Sequence, residues 1–294
     1  MTRVAVIGEA LVDVIRGVPH PGGSPVNVAV GLARLGMDVS MTTRIGSDEH
    51  GRLIEEHVTG SGVALLDGSV VDERTSAAVV VLDDEGVARY DFDVVWDLPP
   101  VDLASFDLVH IGSIGAYLEP GASVVNDALE AVDRRTLVSF DPNIRPALIG
   151  PRAEAIVQTE RLAAASHVVK LSDEDAAWLY PGESLEGVLR RFQALGVRLA
   201  IATRGPAGCV ALADDIVLDV PARPVVVADT VGAGDAFMSG LLAAVAADEG
   251  AAVVAAGGAP ALGWAHVLQV ALESAAITVS RPGANPPWSA ELPL

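Results

Sequence analysis

Short unbroken apolar runs alternate with amphipathic stretches along most of this chain. Residues 4–7 form such a run, stopped by Gly8, and predict a strand buried on both faces of a parallel sheet. Residues 11–18 follow almost without a turn, and Asp13 and Arg16 break up their apolar positions, which suits a strand leaving the core sheet. Pro21, Gly22, Gly23, Ser24 and Pro25 predict a loop, and residues 26–35 a helix closed by Gly36. A further strand is expected at 39–45 and a helix at 48–57.

The pattern changes between residues 65 and 92. Val70-Val71 and residues 77–82, a polar turn at 84–86, and residues 87–92 read as a β-hairpin, which does not belong in an all-parallel sheet. Together with residues 11–18 they predict a small separate sheet able to cover a site. From Phe106 onward the pattern is βα repetition: strands at 108–111, 137–140, 167–171 and 199–203, and helices at 123–133, 151–165, 184–195, 236–247 and 260–277. The runs 209–212 and 216–220 form a pair near the end of this series. Such alternation predicts a mostly parallel sheet with helices on both faces.

Composition narrows the functional classes. The 294 residues are 51% hydrophobic and 20% charged, enough for one large α/β core, and no repeat or linker divides them. Thirty-nine acidic against 19 basic residues give a formal charge of −20, which disfavours nucleic acid and anionic lipid as partners. A lone cysteine, Cys209, suits a reducing cytoplasmic setting. The start of the chain lacks the apolar core of a signal peptide, and the alanine-rich stretch 251–279, interrupted by Gly, Pro, His and Glu, reads as a buried helix rather than a membrane span. The six histidines and Cys209 show no zinc-ligand spacing.

Ligands of open parallel sheets gather where the strands end. Asp13, Asn27, Asp141-Pro-Asn-Ile-Arg145, Asp173 to Asp175 and Thr203-Arg-Gly205 all fall at such positions. In Asp229-Thr-Val-Gly-Ala-Gly-Asp-Ala-Phe237 a glycine turn opens a helix, whose unpaired N–H groups attract anions beside the carboxylate of Asp235. Neither a Walker sequence nor a Gly-x-Gly-x-x-Gly fingerprint after the first strand is present.

Gly22-Gly23-Ser-Pro-Val-Asn27, Arg44-Ile-Gly46 and Asp229-Thr-Val-Gly-Ala-Gly-Asp235 together resemble the two signatures of the ribokinase-like (PfkB) carbohydrate kinases. Phe140-Asp-Pro-Asn-Ile-Arg-Pro146, Val169-Lys-Leu-Ser-Asp-Glu174, Thr203-Arg-Gly-Pro206 and Ser280-Arg-Pro-Gly-Ala-Asn-Pro-Pro287 resemble the bacterial fructokinases among them. The resemblance implies a three-layer αβα fold with a mostly parallel central sheet. It also implies a single kinase domain over 1–294, with a β-sheet lid from about 11–18 and 68–98.

The same resemblance implies roles. Asp235 matches the catalytic base, and Gly232, Ala233 and Gly234 the anion hole; alone, Asp235 would read as a carboxylate stabilised by a helix start. Asp13, Gly22, Gly23, Asn27 and Asn143 match sugar-binding positions, with a helix N-cap the competing reading of Asn27 and a proline-flanked turn that of Asn143. Arg145 would brace the transferring phosphoryl group or the sugar. Lys170, Ser172, Thr203, Gly205 and Gly208 match the nucleotide side, and residues 259–272 would wall the adenine. Ser172 and Asp175 stand where the family often has Asn-x-x-Glu, so that Asp175 is the magnesium candidate, with capping of the next helix the alternative for Ser172. Asp229 and the backbone of 275–284 resemble a monovalent-cation loop.

The expected function is transfer of the γ-phosphoryl group of ATP to a primary hydroxyl of a neutral sugar, with Mg2+ and K+ as ions and fructose as acceptor. Within the class the rivals are 2-keto-3-deoxygluconate kinase, to which the acidic Asp91, Asp93 and Asp97 near Arg89 are opposed, and ribokinase or adenosine kinase. A sugar or nucleotide sensor without catalysis is the rival from another class. A homodimer through the lid sheet is implied by the resemblance, and the apolar run 77–81 favours it.

Overall fold

The computed structural model describes residues 2–15, 17–82 and 88–292. The first half of the chain contains β1 (Arg3–Ile7), β2 (Leu11–Ile15), β3 (Val18–Gly22), α1 (Ser24–Arg34), β4 (Asp38–Thr42), β5 (Ile45–Gly46) and α2 (Glu49–Gly60). It continues through β6 (Ala64–Leu65), β7 (Val70–Val71), β8 (Ala77–Leu82), β9 (Ala88–Asp93), β10 (Leu108–Gly112), α3 (Gly121–Glu130) and β11 (Leu137–Asp141). The second half contains α4 (Arg152–Ala164), β12 (Val168–Ser172), α5 (Asp173–Leu179), α6 (Leu185–Ala194), β13 (Leu199–Thr203), β14 (Cys209–Ala213) and β15 (Ile216–Val220). The helices α7 (Ala233–Ala246), α8 (Gly250–Ala255) and α9 (Trp264–Val279) complete it.

The main sheet has the order β15-β14-β13-β12-β11-β10-β1-β4-β6. Its strands are parallel except β14 and β15, which turn back at one edge. Every residue of β10 and β11 is buried, the outcome expected of apolar runs covered on both faces. Alternation along β1 divides the core: Val4 and Val6 pack with residues of α1, α2, α7 and α9, while Ala5 and Ile7 pack with residues of α3, α4, α5 and α6. The result is the three-layer αβα arrangement.

Small residues set the layer that carries Asp235. A Cβ on Gly31 of α1 would come within 2.3 Å of Ser239 Oγ, and one on Gly240 within 2.7 Å of Ser274 Cβ on α9. Helix α7 therefore lies close between α1 and α9 and buries 12 of its 14 residues. The longest apolar helical run is Ala233–Ala255 rather than the expected 251–279; 72% of its most apolar window is buried, and left-handed Asp248 and Glu249 break it.

A second sheet has the order β3-β2-β8-β9. The single strand expected at 11–18 is instead a hairpin, β2 and β3, folded back near Gly17. Pro19 and Pro21 are tolerated in β3 because it is an edge strand, where missing N–H groups interrupt no ladder. Val70 and Val71 pair with β5, outside this sheet. Likewise the run 39–45 is split between β4 and β5. The turn expected at 84–86 and the side chains of Arg89 and Asp91 lie outside the described residues. Asp48 anchors the strand crossing: its carboxylate caps α2 at Gly51 N (2.8 Å) and accepts from Thr75 N (2.9 Å) and Thr75 Oγ1 (2.6 Å). Burial opposes that charge, but these bonds hold the Asp48 carboxyl down at about 2.

Candidate active site

The parallel strands all end on one edge of the main sheet, and the loop before α7 comes to that edge. Ala228 N and Asp229 N donate to Val279 O, while the Asp229 carboxylate accepts from Val231 N (3.1 Å) and Gly283 N (2.9 Å). Two loops are thereby fixed side by side, and these N–H groups, that of Val231 first, hold the Asp229 carboxyl below its ordinary value. Gly232 then takes a left-handed conformation, φ 73°, as the cap of α7. A side chain there would also meet Ala284 Cβ at 2.6 Å, so glycine is required twice over. Gly232, Ala233 and Gly234 remain partly exposed, with the positive end of α7 facing outward.

Asp235, in the first turn of α7, is the first of its buried residues, 9% exposed. Ser24 Oγ donates to one of its oxygens (2.6 Å) and Asn27 Nδ2 to the other (2.8 Å). Asn27 is thus not the cap of α1, which is Gly23; it sits in the first turn and reaches across to α7. Ser24, expected in a loop, begins the helix and supplies the second donor.

Asp13 lies on β2 of the small sheet, beside Gly22 of β3. A Cβ on Gly22 would come within 2.4 Å of Asp13 Oδ2, and one on Gly23, whose φ is 107°, within 2.6 Å of Glu9 O. Burial pushes the Asp13 carboxyl upward, opposed by His20 and Arg145. Asn143, at φ 40°, follows β11 and donates from Nδ2 to Ser113 Oγ (3.4 Å). Arg145 is exposed, folds its guanidinium onto Ile144 O (3.0 Å), and makes no ion pair among the described residues. Asn27 is thus bonded to Asp235, Asp13 lies against Gly22 and within electrostatic reach of Arg145, and Asn143 is joined to Ser113.

Beneath the glycine turn, Lys170 Nζ is 2.5 Å from Asp141 Oδ2 and 3.4 Å from Gly234 O. Burial works against the Lys170 charge, but Asp141, Asp235 and Asp175 outweigh it, and the ammonium holds its proton more firmly than usual. Asp141, placed at a strand end by the sequence but without a partner, is pushed up to about 6 by burial against the pull of Lys170.

Further along the same edge, Ser172 caps α5 and shares a capping box with Asp175. Both oxygens of Asp175 accept backbone N–H groups, from Ile144 (2.9 Å) and Ser172 (3.0 Å). Thr203 is the register partner of Ser172, Gly205 opens a 3-10 turn, and Gly208, at φ 88°, leaves no room for a Cβ beside Val220 O. Residues 259–272 span the loop before α9 and much of that helix, where Trp264 Nε1 donates to Asp214 (3.0 Å). Among the described residues no group of three or more His, Cys, Asp or Glu is set to hold a metal ion.

One carboxylate was missed entirely. Glu9 follows β1, is 2% exposed, accepts from Gly115 N (2.8 Å), and is pushed by burial up to about 7. The strand-end position alone could have flagged it; its burial is set by Gly115 and Ser113, more than a hundred residues away in sequence.

The pfkB family of carbohydrate kinases matches residues 1–291. The chain is 37% identical over 265 residues to a fructokinase of Klebsiella pneumoniae, covering 83% of this chain and 85% of that one. Its fold is similar to that of a fructokinase double mutant of Vibrio cholerae O395 crystallised with fructose, ADP and potassium, with TM-score 0.80, 26% identity, and 97% and 94% of the two chains covered. Similarity extends to the aminoimidazole riboside kinase of Salmonella enterica bound to its riboside and an ATP analogue, with TM-score 0.77, 25% identity, and 99% and 96% covered. Taken with the glycine turn of α7 and the doubly held Asp235, these matches show that the chain belongs to the pfkB family of carbohydrate kinases and is an ATP-dependent sugar kinase.

Proposed function

We propose that this chain phosphorylates fructose on a primary hydroxyl, with Asp235 as the base. The observation that carries the reading is the placement of Asp235 between Ser24 Oγ and Asn27 Nδ2 at the mouth of a helix N-terminus. The two donors orient the carboxylate while leaving lone pairs on each oxygen for an incoming hydroxyl. As that hydroxyl's oxygen bonds to the γ-phosphorus, the bond from phosphorus to the β,γ-bridging oxygen breaks and the proton passes to Asp235. Charge on the transferring group meets the N–H groups of the Gly232 to Gly234 turn and, below it, the Lys170 ammonium. Arg145 is free to close on the phosphoryl group or the sugar.

Magnesium carried on the phosphates and water would neutralise part of their charge, which fits a site without a carboxylate cluster among the described residues. Asp175 then serves by fixing the start of α5 and the Ile144 loop. The union of the Asp229 and Gly283 loops supports a potassium site there. The four-stranded sheet that carries Asp13 acts as the lid, and its exposed Ile15 and Val18 support self-association through it. Buried Cys209 suits a reducing cytoplasm.

An acid acceptor such as 2-keto-3-deoxygluconate is the second reading, because Arg145 makes no ion pair among the described residues and Arg74 pairs with Asp93, removing one negative charge from the small sheet. A coupled assay of ADP release across fructose, ribose, 2-keto-3-deoxygluconate and an aminoimidazole riboside separates these, with Asp235→Asn as control. Fructose is expected to give the highest kcat/KM, and Asp235→Asn to lose about a hundredfold or more in kcat. Preference for the keto acid would sink the fructose assignment, and full activity of Asp235→Asn the assignment of the base.

A further inference from the structure

A Cβ on Gly31 of α1 would lie 2.3 Å from Ser239 Oγ of α7 and 3.5 Å from Pro286 Cβ, and one on Gly232, at the head of α7, 2.6 Å from Ala284 Cβ. Residues 284–286 therefore run along the seam between the two helices. Arg34, the last residue of α1, holds them there. Its Nη1 donates to Asn285 Oδ1 (2.7 Å) and to Pro286 O (3.0 Å), and its guanidinium lies over the Trp288 ring, 5.0 Å from the centroid. The Arg34 carbonyl accepts from Ser289 N (3.0 Å), so backbone and side chain grip the same tail. Asn285 N in turn donates to Gly283 O (2.8 Å), and Gly283 N to the Asp229 carboxylate (2.9 Å), which carries the tie into the loop that leads to Gly232. We propose that Arg34 is a positioning residue for ATP, acting through Asn285 and Ala284 to fix the Gly232 to Gly234 turn against the transferring phosphoryl group. This rests on the reading of that turn as an anion seat.

The two ends of α1 serve different sides of the reaction. Ser24 and Asn27 hold Asp235 from its first turn, whereas Arg34 closes its last. Between them Val26, Val28, Val30 and Leu32 are packed in the main core, so a change at Arg34 leaves the donors to Asp235 in place. Residues 284 and 285 have no such anchorage: they are partly exposed and belong to no helix or strand. Their position is set by the bonds from Arg34 at one end and the Asp229 carboxylate at the other. Ala284 packs on Gly232 without slack, so a shift of this segment passes directly to the turn. Phosphoryl transfer depends on positioning, and a small displacement of the groups around the phosphorus slows it.

Steady-state kinetics with ATP and the best acceptor, on Arg34→Met, Asn285→Ala and the two combined, tests this, with Gly232→Ala and Leu292→Ala alongside and each variant checked for a cooperative thermal transition. Arg34→Met and Asn285→Ala are expected to lower kcat/KM for ATP about five- to tenfold and to leave the sugar KM within about twofold of the unaltered protein. The double substitution is expected to match Arg34→Met alone, because both remove the same bond. Leu292→Ala takes away a side chain buried in the main core further along the same tail. It is expected to lower the thermal midpoint while both kinetic constants stay within about twofold. An unchanged kcat/KM for ATP in Arg34→Met, a change in sugar KM as large as that for ATP, multiplicative effects in the double substitution, or an equal kinetic loss in Leu292→Ala would each overturn the proposal. Should Arg34→Met fail to fold, Asn285→Ala is read in its place. Gly232→Ala separates the two failures: if it too leaves kcat/KM for ATP intact, the anion-seat reading falls and the proposal with it, and if it alone lowers that constant, only the part played by Arg34 falls.

Discussion

Lys170 and Asp141, from neighbouring strands β12 and β11, form an ion pair at 2.5 Å with side-chain exposures of 6% and 1%, directly under the turn that leads to Asp235. Removing one partner strands a charge in a buried place. Asp141→Asn is therefore expected to destabilise the fold by roughly 3 to 5 kcal/mol, whereas Lys170→Met combined with Asp141→Leu, which removes both charges, destabilises less. Urea unfolding of the two variants measures this. The double variant is also expected to lose about tenfold or more in kcat, because a cation beneath the phosphoryl site goes with it; unchanged kcat would limit Lys170 to a structural part.

Ser24→Ala leaves Asp235 with one of its two orienting donors. The expected result is a fall of about five- to tenfold in kcat with little change in stability, read from initial rates at saturating ATP and sugar. A carboxylate held equally well by Asn27 alone would show no change, and the oriented-base argument would fall.

Gly232 and Gly36 both adopt left-handed conformations, but only Gly232 is crowded, with Ala284 Cβ 2.6 Å from an added Cβ and nothing within 4 Å at Gly36. Gly36→Ala is expected to cost about 1 to 2 kcal/mol and leave turnover intact. Gly232→Ala adds a displaced turn, and kcat/KM for ATP is expected to drop about tenfold or more. Equal behaviour of the two variants in the kinetic assay would argue against an anion-binding turn at Gly232.

Glu9 binds its proton more tightly in the folded protein than in the unfolded chain, because burial lifts its carboxyl from 4.5 to about 7. Its contribution to stability is thus fully present below pH 4.5 and lost as pH rises through about 7. Relative to Glu9→Gln, the unaltered protein is expected to lose on the order of 3 kcal/mol across that window, measured by urea midpoints along it. Asp141, also raised by burial, is common to both proteins and cancels in the comparison. A constant difference between the two proteins would show that Glu9 does not titrate on unfolding.

The parallel core was legible because both faces of each central strand are covered, leaving runs such as residues 4–7 of β1 wholly apolar. The edge of the small sheet was not: Pro19 and Pro21 carry turn chemistry locally, and only the pairing of β3 with β2 makes a strand of them. Likewise two-residue strands such as Val70–Val71 have no period to read. In the site, Asp235, Asn27 and Asp13 could be named from motifs, since a glycine turn and a short polar residue mark their places. Ser24 and Glu9 could not, because their partners lie 211 and 106 residues away, and Asp141 could be placed at a strand end but not paired with Lys170. Arg74, from an adjoining segment, pairs with Asp93, a contact that a count of acids along the sequence does not show.

The close seating of α7 between α1 and α9 holds the helix that carries Asp235 inside the main core from both sides. The amide protons of residues 237–245 lie in the main core, so hydrogen exchange there requires global unfolding. β2 is divided: Val12 belongs to that same core, while Leu11 joins a smaller cluster with Ala78 and Ile114. Slow exchange is therefore expected to reach from α7 into the buried half of β2.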